Sequence, residues 1–344
     1  MNEPSGESAL QKILIIRLSS IGDIIQCSGV PRNLKKLFPR SEIHWLVRSD
    51  NTELVKFNPF IDKVIVFDRS LGLSGWGKLT RNLAQENYTH VYDAHNNLRS
   101  RLLTPHLKPK YFARRSKNRF KRFLLFWLKI NLFQKHYKPS ESFIEPLRPW
   151  GVVSDHHGGD LHIDPATLEK VKKLIQLENR ADVRTIALAP ATAWVKKTWP
   201  EDYWKALIAK ILQETNYQIL ILGGPQDEFC KNLILDSSRV FSFQGRLSLL
   251  ESAAATNLCD ALIVADTGLL HMTESLGKDV IGLFGPTPFG FPSRLKSQTL
   301  EVPLWCRPCS KDGSGLCFNP VFQKCMKDIK PDTVFNALLR QVEP

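Results

Sequence analysis

No apolar run in this chain approaches the roughly 20 residues that cross a bilayer as a helix. The densest, Phe123 to Leu128, is broken at Lys129, which excludes a membrane-spanning helix. The first eleven residues carry Glu3, Ser5 and Glu7 and show no basic stretch leading into an apolar one. They do not read as a secretory signal, and a cytoplasmic protein is expected. G-x-G-x-x-G is missing throughout, which counts against a nicotinamide or flavin Rossmann enzyme. The nearest approach to a phosphate-gripping P-loop is Gly72-Leu73-Ser74-Gly75-Trp76-Gly77-Lys78-Leu79, where Leu79 stands in place of the Ser or Thr that would hold magnesium.

Acidic residues are missing between Asp93 and Glu141, a stretch holding thirteen of the 47 Lys and Arg. Outside it, 34 basic residues face 34 acidic ones, so the whole +13 excess sits in one segment. Phe120, Phe123, Phe126, Trp127 and Phe133 are interleaved with its cations, so from Arg99 to Lys138 it reads as a basic surface with apolar anchors. An anionic partner follows, and Arg114, Arg115, Arg119 and Arg122 are expected to face it. Nucleic acid is not expected, because no zinc-finger spacing, aromatic RNA-binding motif or helix-turn-helix pattern accompanies the charge. The plain alternative is a solvated basic helix face.

Seven cysteines without an export signal are expected to be reduced thiols. Cys306, Cys309, Cys317 and Cys325 begin as C-x-x-C, but the wide split of the second pair fits a zinc ribbon poorly. No metal site is expected there.

With 344 residues, 43% of them apolar and 24% charged, the chain is long enough for two globular domains. Strand-like runs lie at 13–18, 42–47, 64–67 and 90–93, with helical patterning between them. A second series follows at 184–189, 218–222, 261–265 and 280–284. Alternation of this kind gives an α/β protein made of two doubly wound parallel sheets. The charged, helical stretch 165–179 marks the boundary, so residues 1–170 and 171–330 are assigned to the two domains and 331–344 to an amphipathic terminal helix. Facing domains of this type leave an interdomain cleft at the carboxyl ends of their strands, where ligands bind.

Candidate site residues accordingly follow strands. Asp266-Thr267-Gly268 opens a helix after 261–265, offering unpaired N–H groups and a positive dipole end to a phosphate, with His271 one turn on. The plain alternative is that Asp266 or Thr267 caps the helix. Lys196 and Lys197 stand beside a helix start at Pro200, an electrostatic fault that a bound diphosphate would resolve; the plain alternative is a pair of solvated loop lysines tolerated at small cost. Thr198 and Glu201 have capping-box spacing. Asp227, behind Gly223 and Gly224, is placed to bond a ribose, and Gly22 with Asp23 ends the first strand. Asp23 also fits the role of a helix cap.

Four of these motifs in this order resemble glycosyltransferase family 9, the lipopolysaccharide heptosyltransferases: Ser19-Ser20-Ile21-Gly22-Asp23, Lys197-Thr198-Trp199-Pro200, Asp266 to His271, and Phe284-Gly285-Pro286-Thr287. The resemblance runs from about residue 12 to 341 and implies a GT-B fold. It further implies inverting, metal-independent transfer of heptose from ADP-heptose to a Kdo-lipid A acceptor, consistent with the lack of any D-x-D and with no cofactor. By resemblance, Asp23 is the general base and Lys197 stabilises the diphosphate. Thr192, Asp227, Asp266, Thr267, Gly268 and His271 contact the donor, while Ser20, Gly22, His95 and Arg99 contact the acceptor. At 93–96 the family's D-A-Q-G reads Asp93-Ala94-His95-Asn96, a departure at the acceptor side. Such an enzyme would work in the cytoplasm, peripherally on the anionic inner face of the inner membrane. Two readings compete with it: another GT-B nucleotide-sugar enzyme, and a basic non-catalytic membrane or nucleic-acid binding protein.

Overall fold

The structure, a computed structural model, describes residues 10–133, 138–175 and 183–343. Glu3, Ser5 and Glu7 of the polar start, Lys135 of the basic segment, residues 176–179 of the expected helix and Pro344 lie outside the described residues. Contacts divide the chain into two units, Met1–Lys117 with Ser140–His162, and Asn118–Pro139 with Ile163–Pro344.

The first unit is built on five parallel strands, β1 Lys12–Ile16, β2 Glu42–Arg48, β3 Lys63–Phe67, β4 His90–Asp93 and β5 Tyr111–Arg114, in the order β3-β2-β1-β4-β5. Ile13 to Ile16 are wholly buried, as expected of a central parallel strand covered on both faces. The run read as a strand to Leu18 is assigned as β1 only to Ile16, but its backbone bonds to β2 continue, from the Arg17 N–H to the Leu46 carbonyl and from the Arg48 N–H to the Leu18 carbonyl; its one charged residue, Arg17, turns inward and is buried. The glycine-rich stretch at 72–79 is helical, forming the start of Gly72–Gln85, whose Trp76 and Leu83 pack inward. It therefore offers no loop to cradle a phosphate.

Six parallel strands form the second unit's sheet: β6 Thr185–Ala189, β7 Gln218–Ile221, β8 Val240–Ser242, β9 Ala261–Ala265, β10 Val280–Phe284 and β11 Gln298–Glu301, ordered β11-β10-β9-β6-β7-β8. The helix Glu201–Glu214 buries Trp204, Leu207, Ile208 and Ile211, the stripe its i, i+3, i+4, i+7 spacing dictates. Trp199 meets Trp204 edge-on at 4.9 Å, and its indole N–H donates to the Ile329 carbonyl at 2.9 Å. The helix Pro331–Val342 buries Val334, Phe335 and Leu338 in the same core.

The two sequences do not repeat one another, yet both sheets have one winding: the first strand is central, the next two step outward on one side, and the fourth returns to its other side. Each sheet thus has a switch point, between β1 and β4 in the first and between β6 and β9 in the second. Open α/β sheets bind ligands at the carboxyl ends of such strand pairs.

Candidate active site

Beyond β9, Asp266 and Thr267 lead into the helix Gly268–Ser275. Thr267 holds the N-cap position, but its side chain makes no capping hydrogen bond. The capping alternative therefore fails for Thr267, and the helix start is not closed by that hydroxyl. Asp266 turns sideways: its Oδ2 accepts from Lys197 Nζ at 3.1 Å and from Thr287 Oγ1 at 2.8 Å. The β6 loop supplies Lys197 and the β10 loop supplies Thr287, so three strand ends converge on one carboxylate. His271 is buried in the same helix. A Cβ at Gly290 would stand 3.0 Å from Asp266 Oδ1 and 3.4 Å from His271 Nε2, so only glycine closes the β10 loop over both.

The two adjacent lysines have different occupations. Lys196 is buried and donates to the Leu316 carbonyl at 2.9 Å, a structural contact. Lys197 runs along Gly313, where a Cβ would come within 2.8 Å of its Cγ and Cδ at a φ of +102°. Gly313 thereby fixes the stem that aims the ammonium at Asp266. Thr198 does not cap the next helix. Its hydroxyl pairs with Thr192 Oγ1 at 2.7 Å, closing the β6 loop, and the N-cap of Glu201–Glu214 is Pro200. Asp227 folds back on its own turn, accepting from the Gly224 N–H at 2.7 Å, while the Gln244 amide donates to the Gly224 carbonyl at 2.8 Å.

In the first unit, the carboxyl end of β1 carries Ser20, Gly22 and Asp23 at the start of the helix Ile21–Cys27. Ser20 is the N-cap residue and donates from its hydroxyl to Asp23 Oδ2 at 3.0 Å. Asp23 also pairs with Arg17, and Arg115 NH1 lies 3.9 Å from its other oxygen. Arg17 ties β1 to β4 by donating to the Ala94 carbonyl at 2.7 Å. Burial pulls the Arg17 guanidinium below its ordinary pKa, and the Asp23 carboxylate opposes that shift. Arg115 stacks on the Phe143 ring at 3.8 Å and donates to Ser142. Neither Arg17 nor Arg115 was a sequence candidate for this site. The available signal was a lone arginine closing an otherwise apolar strand.

After β4, the buried Asp93 carboxylate organises the loop. It accepts from the Asn96 N–H at 2.7 Å, the Ser100 hydroxyl at 3.0 Å and Arg114 Nε at 2.8 Å. His95 is half-buried with Nδ1 unpartnered, and burial, reinforced by nearby Arg17, lowers its pKa to about 4. It is neutral at pH 7. Arg99 is exposed, its guanidinium 6.0 Å over the Phe67 ring.

The basic segment is consequently not one surface. Arg114 serves Asp93 and Arg115 lies at Asp23, both in the first unit, whereas the helix Arg119–Trp127 packs with the second. Arg114 and Arg115, expected to face the anionic partner, are instead engaged within the first unit: Arg114 pairs with the buried Asp93 carboxylate, and Arg115 donates to Ser142 beside the partly exposed Asp23. Among the described residues, no group of His, Cys, Asp and Glu side chains has a metal-holding arrangement, and all seven cysteines are free thiols. Burial pushes the Cys325 thiol up to about 11.

Residues 76–317 match the family model for glycosyltransferase family 9 (heptosyltransferase). Lipopolysaccharide heptosyltransferase 1 of Pseudomonas aeruginosa is 24% identical over 319 residues, covering 87% of this chain and 86% of that protein. A glycosyltransferase family 9 structure from Veillonella parvula superposes with a TM-score of 0.76 at 21% identity, covering 96% of this chain and 97% of that one. The E. coli heptosyltransferase WaaC solved with ADP gives a TM-score of 0.66 at 19% identity, covering 96% and 97%. The fold is GT-B.

Proposed function

Because the chain belongs to glycosyltransferase family 9, the heptosyltransferase family, we propose that it transfers heptose from ADP-heptose to the inner core of lipopolysaccharide. The acceptor is Kdo-lipid A, and transfer inverts the anomeric carbon without a metal ion. The observation that carries this reading is the pairing of Lys197 with Asp266 beside the helix start at Gly268, at the β6–β9 switch point. Solved relatives that bind ADP and an ADP-fluoroheptose support the donor.

In this reading Asp23 takes the proton of the acceptor hydroxyl as that oxygen bonds to the anomeric carbon. The bond from that carbon to the diphosphate oxygen breaks, and ADP leaves with the electron pair. Lys197 and the N–H groups at the start of Gly268–Ser275 meet the charge that grows on the diphosphate. Thr192, Thr267 and His271 contact the donor, Asp266 accepts from its sugar hydroxyls, and Asp227 bonds its ribose. Ser20, Gly22, His95 and Arg99 hold the acceptor, with Arg17 and Arg115 keeping Asp23 in place. The reaction runs on the cytoplasmic side, with the enzyme peripheral on the anionic inner membrane.

The test is transfer from ADP-heptose to Kdo-lipid A, followed by ADP release and product mass. ADP should raise the melting temperature at concentrations where UDP does not. No transfer, together with stabilisation by UDP in place of ADP, would overturn the assignment.

A further inference from the structure

The helix Arg119–Trp127 is held to the second unit from one side only. Leu125 is buried, Phe126 meets Phe289 edge-on at 6.4 Å, and the Arg122 guanidinium lies 4.9 Å over the same ring. Just past it, Lys129 donates to the Pro308 carbonyl at 2.7 Å. The opposite side carries Phe120, Phe123, Trp127, Leu128, Ile130 and Leu132, between 48% and 76% exposed. Phe120, Phe123 and Trp127 follow at i, i+3 and i+7 and share one helix face, where the Phe123 and Trp127 rings stack at 6.3 Å. Scattered exposed apolar residues are ordinary, but a contiguous aromatic patch marks an interaction surface.

Charge decides the partner. Arg119 and Lys121 are exposed beside the aromatic face, and the chain has no acidic residue from 94 to 140 to answer them. A symmetric contact between two copies would set these cations against each other. Rings that sit at headgroup depth, flanked by cations that meet lipid phosphates, suit an anionic bilayer.

We infer that the helix Arg119–Trp127 and the residues through Leu132 form a membrane wedge that inserts Phe120, Phe123 and Trp127 into an anionic leaflet. Arg119 and Lys121 lie on its phosphates. The inference rests on the proposed lipid-linked acceptor, and it makes docking a matter of apolar insertion by the nucleotide-binding unit as well as of charge. Arg114 and Arg115 take no part.

The test uses the full chain and vesicles of phosphatidylethanolamine with phosphatidylglycerol. The variant Phe120→Ser/Phe123→Ser/Trp127→Ser should bind at least about tenfold more weakly at low and at raised salt. Arg119→Glu/Lys121→Glu should lose only the salt-sensitive part. Unchanged circular dichroism and melting temperature confirm that the exposed positions leave the fold intact. Transfer to a soluble, deacylated acceptor should match wild type in both variants. Vesicle binding undiminished in the serine variant overturns the wedge, as does a wild-type dimer that this variant dissociates while vesicle binding persists. If neither wild type nor variant transfers heptose to the soluble acceptor, the proposed reaction fails, and the vesicle result still decides the wedge.

Discussion

Lys197 Nζ stands 3.1 Å from Asp266 Oδ2, although 69 residues separate them in the chain. The loop after β6 brings one and the loop after β9 the other, so the central strand pair of the second sheet sets their distance. In the proposed reaction, an ammonium placed this way would already be oriented before a diphosphate bound, and the chemical step would not have to reorganise it. Lys197→Ala should lower kcat/KM by about 10² to 10³, the scale for removing one preorganised donor, and should weaken ADP binding measured by calorimetry. Wild-type ADP affinity in this variant would remove Lys197 from the donor site.

Gly313 tests the same pairing from behind. Gly313→Ala would press a methyl group on the Lys197 stem and place alanine at a φ of +102°. The expected outcome is a partial loss of ADP affinity with the same sign as Lys197→Ala. In the double variant Lys197→Ala/Gly313→Ala, the glycine change should cost little more, which a double-mutant cycle reads directly.

Arg114 separates internal charge from surface charge. Arg114→Glu sets a second carboxylate against Asp93, which is fully buried. Arg114 is itself 30% exposed, so breaking the pair costs less than the roughly 3 to 5 kcal/mol of a fully buried one, and the urea midpoint should still fall. Arg119→Glu, at an exposed position, should change the unfolding free energy by no more than about 0.5 kcal/mol.

Much of this was legible in the sequence because the chemistry is local. Asp266-Thr267-Gly268 and Ser20 to Asp23 follow apolar runs that are strand cores, and central parallel strands announce themselves by continuous burial. The strands β5, β8 and β11 did not show, since each has three or four residues and only partial burial. Thr287 was legible only as the end of the Phe284-Gly285-Pro286-Thr287 motif, while Gly290 and Gly313 reach Asp266 and Lys197 only through tertiary packing that no local spacing shows. The basic segment misleads for a related reason. Charges add along a sequence, but folding sends Arg114 to Asp93, Arg115 to Asp23 and the next helix to the other unit.

His95 gives the first unit a pH signature. Its folded pKa lies at about 4, lowered from 6.5 first by burial and then by Arg17. Between those two values the unfolded chain binds the extra proton, so stability rises with pH across the window and is lost as pH falls through it. Partial exposure screens the effect, leaving about 1 to 2 kcal/mol. His95→Gln should therefore lose less stability than wild type between pH 7 and pH 4 in urea titrations. Equal losses would show that His95 titrates normally.

Asp23 carries the heaviest chemical assignment, and its surroundings set how it must be tested. Ser20 is the N-cap residue, and Asp23 stands three positions later with Arg17 and Arg115 on its two oxygens. Each arginine is itself fixed, Arg17 on the Ala94 carbonyl and Arg115 on Ser142 and the Phe143 ring. A carboxylate clamped in this way either aligns an acceptor hydroxyl and takes its proton, or simply ties the start of its helix to two arginines. Asp23→Asn distinguishes the roles, because asparagine keeps the shape and can still accept from an arginine, yet it cannot take a proton at neutral pH. As a base, Asp23 would be worth about 10² to 10⁴ in rate, with ADP affinity nearly unchanged since the proposed donor contacts belong to the other unit. As a tie, its loss lowers the melting temperature and leaves the chemical step close to wild type. Single-turnover transfer at saturating donor and acceptor, run beside thermal unfolding, reads both. A variant that keeps more than about a tenth of the wild-type rate falls well short of that scale and leaves Asp23 a structural residue.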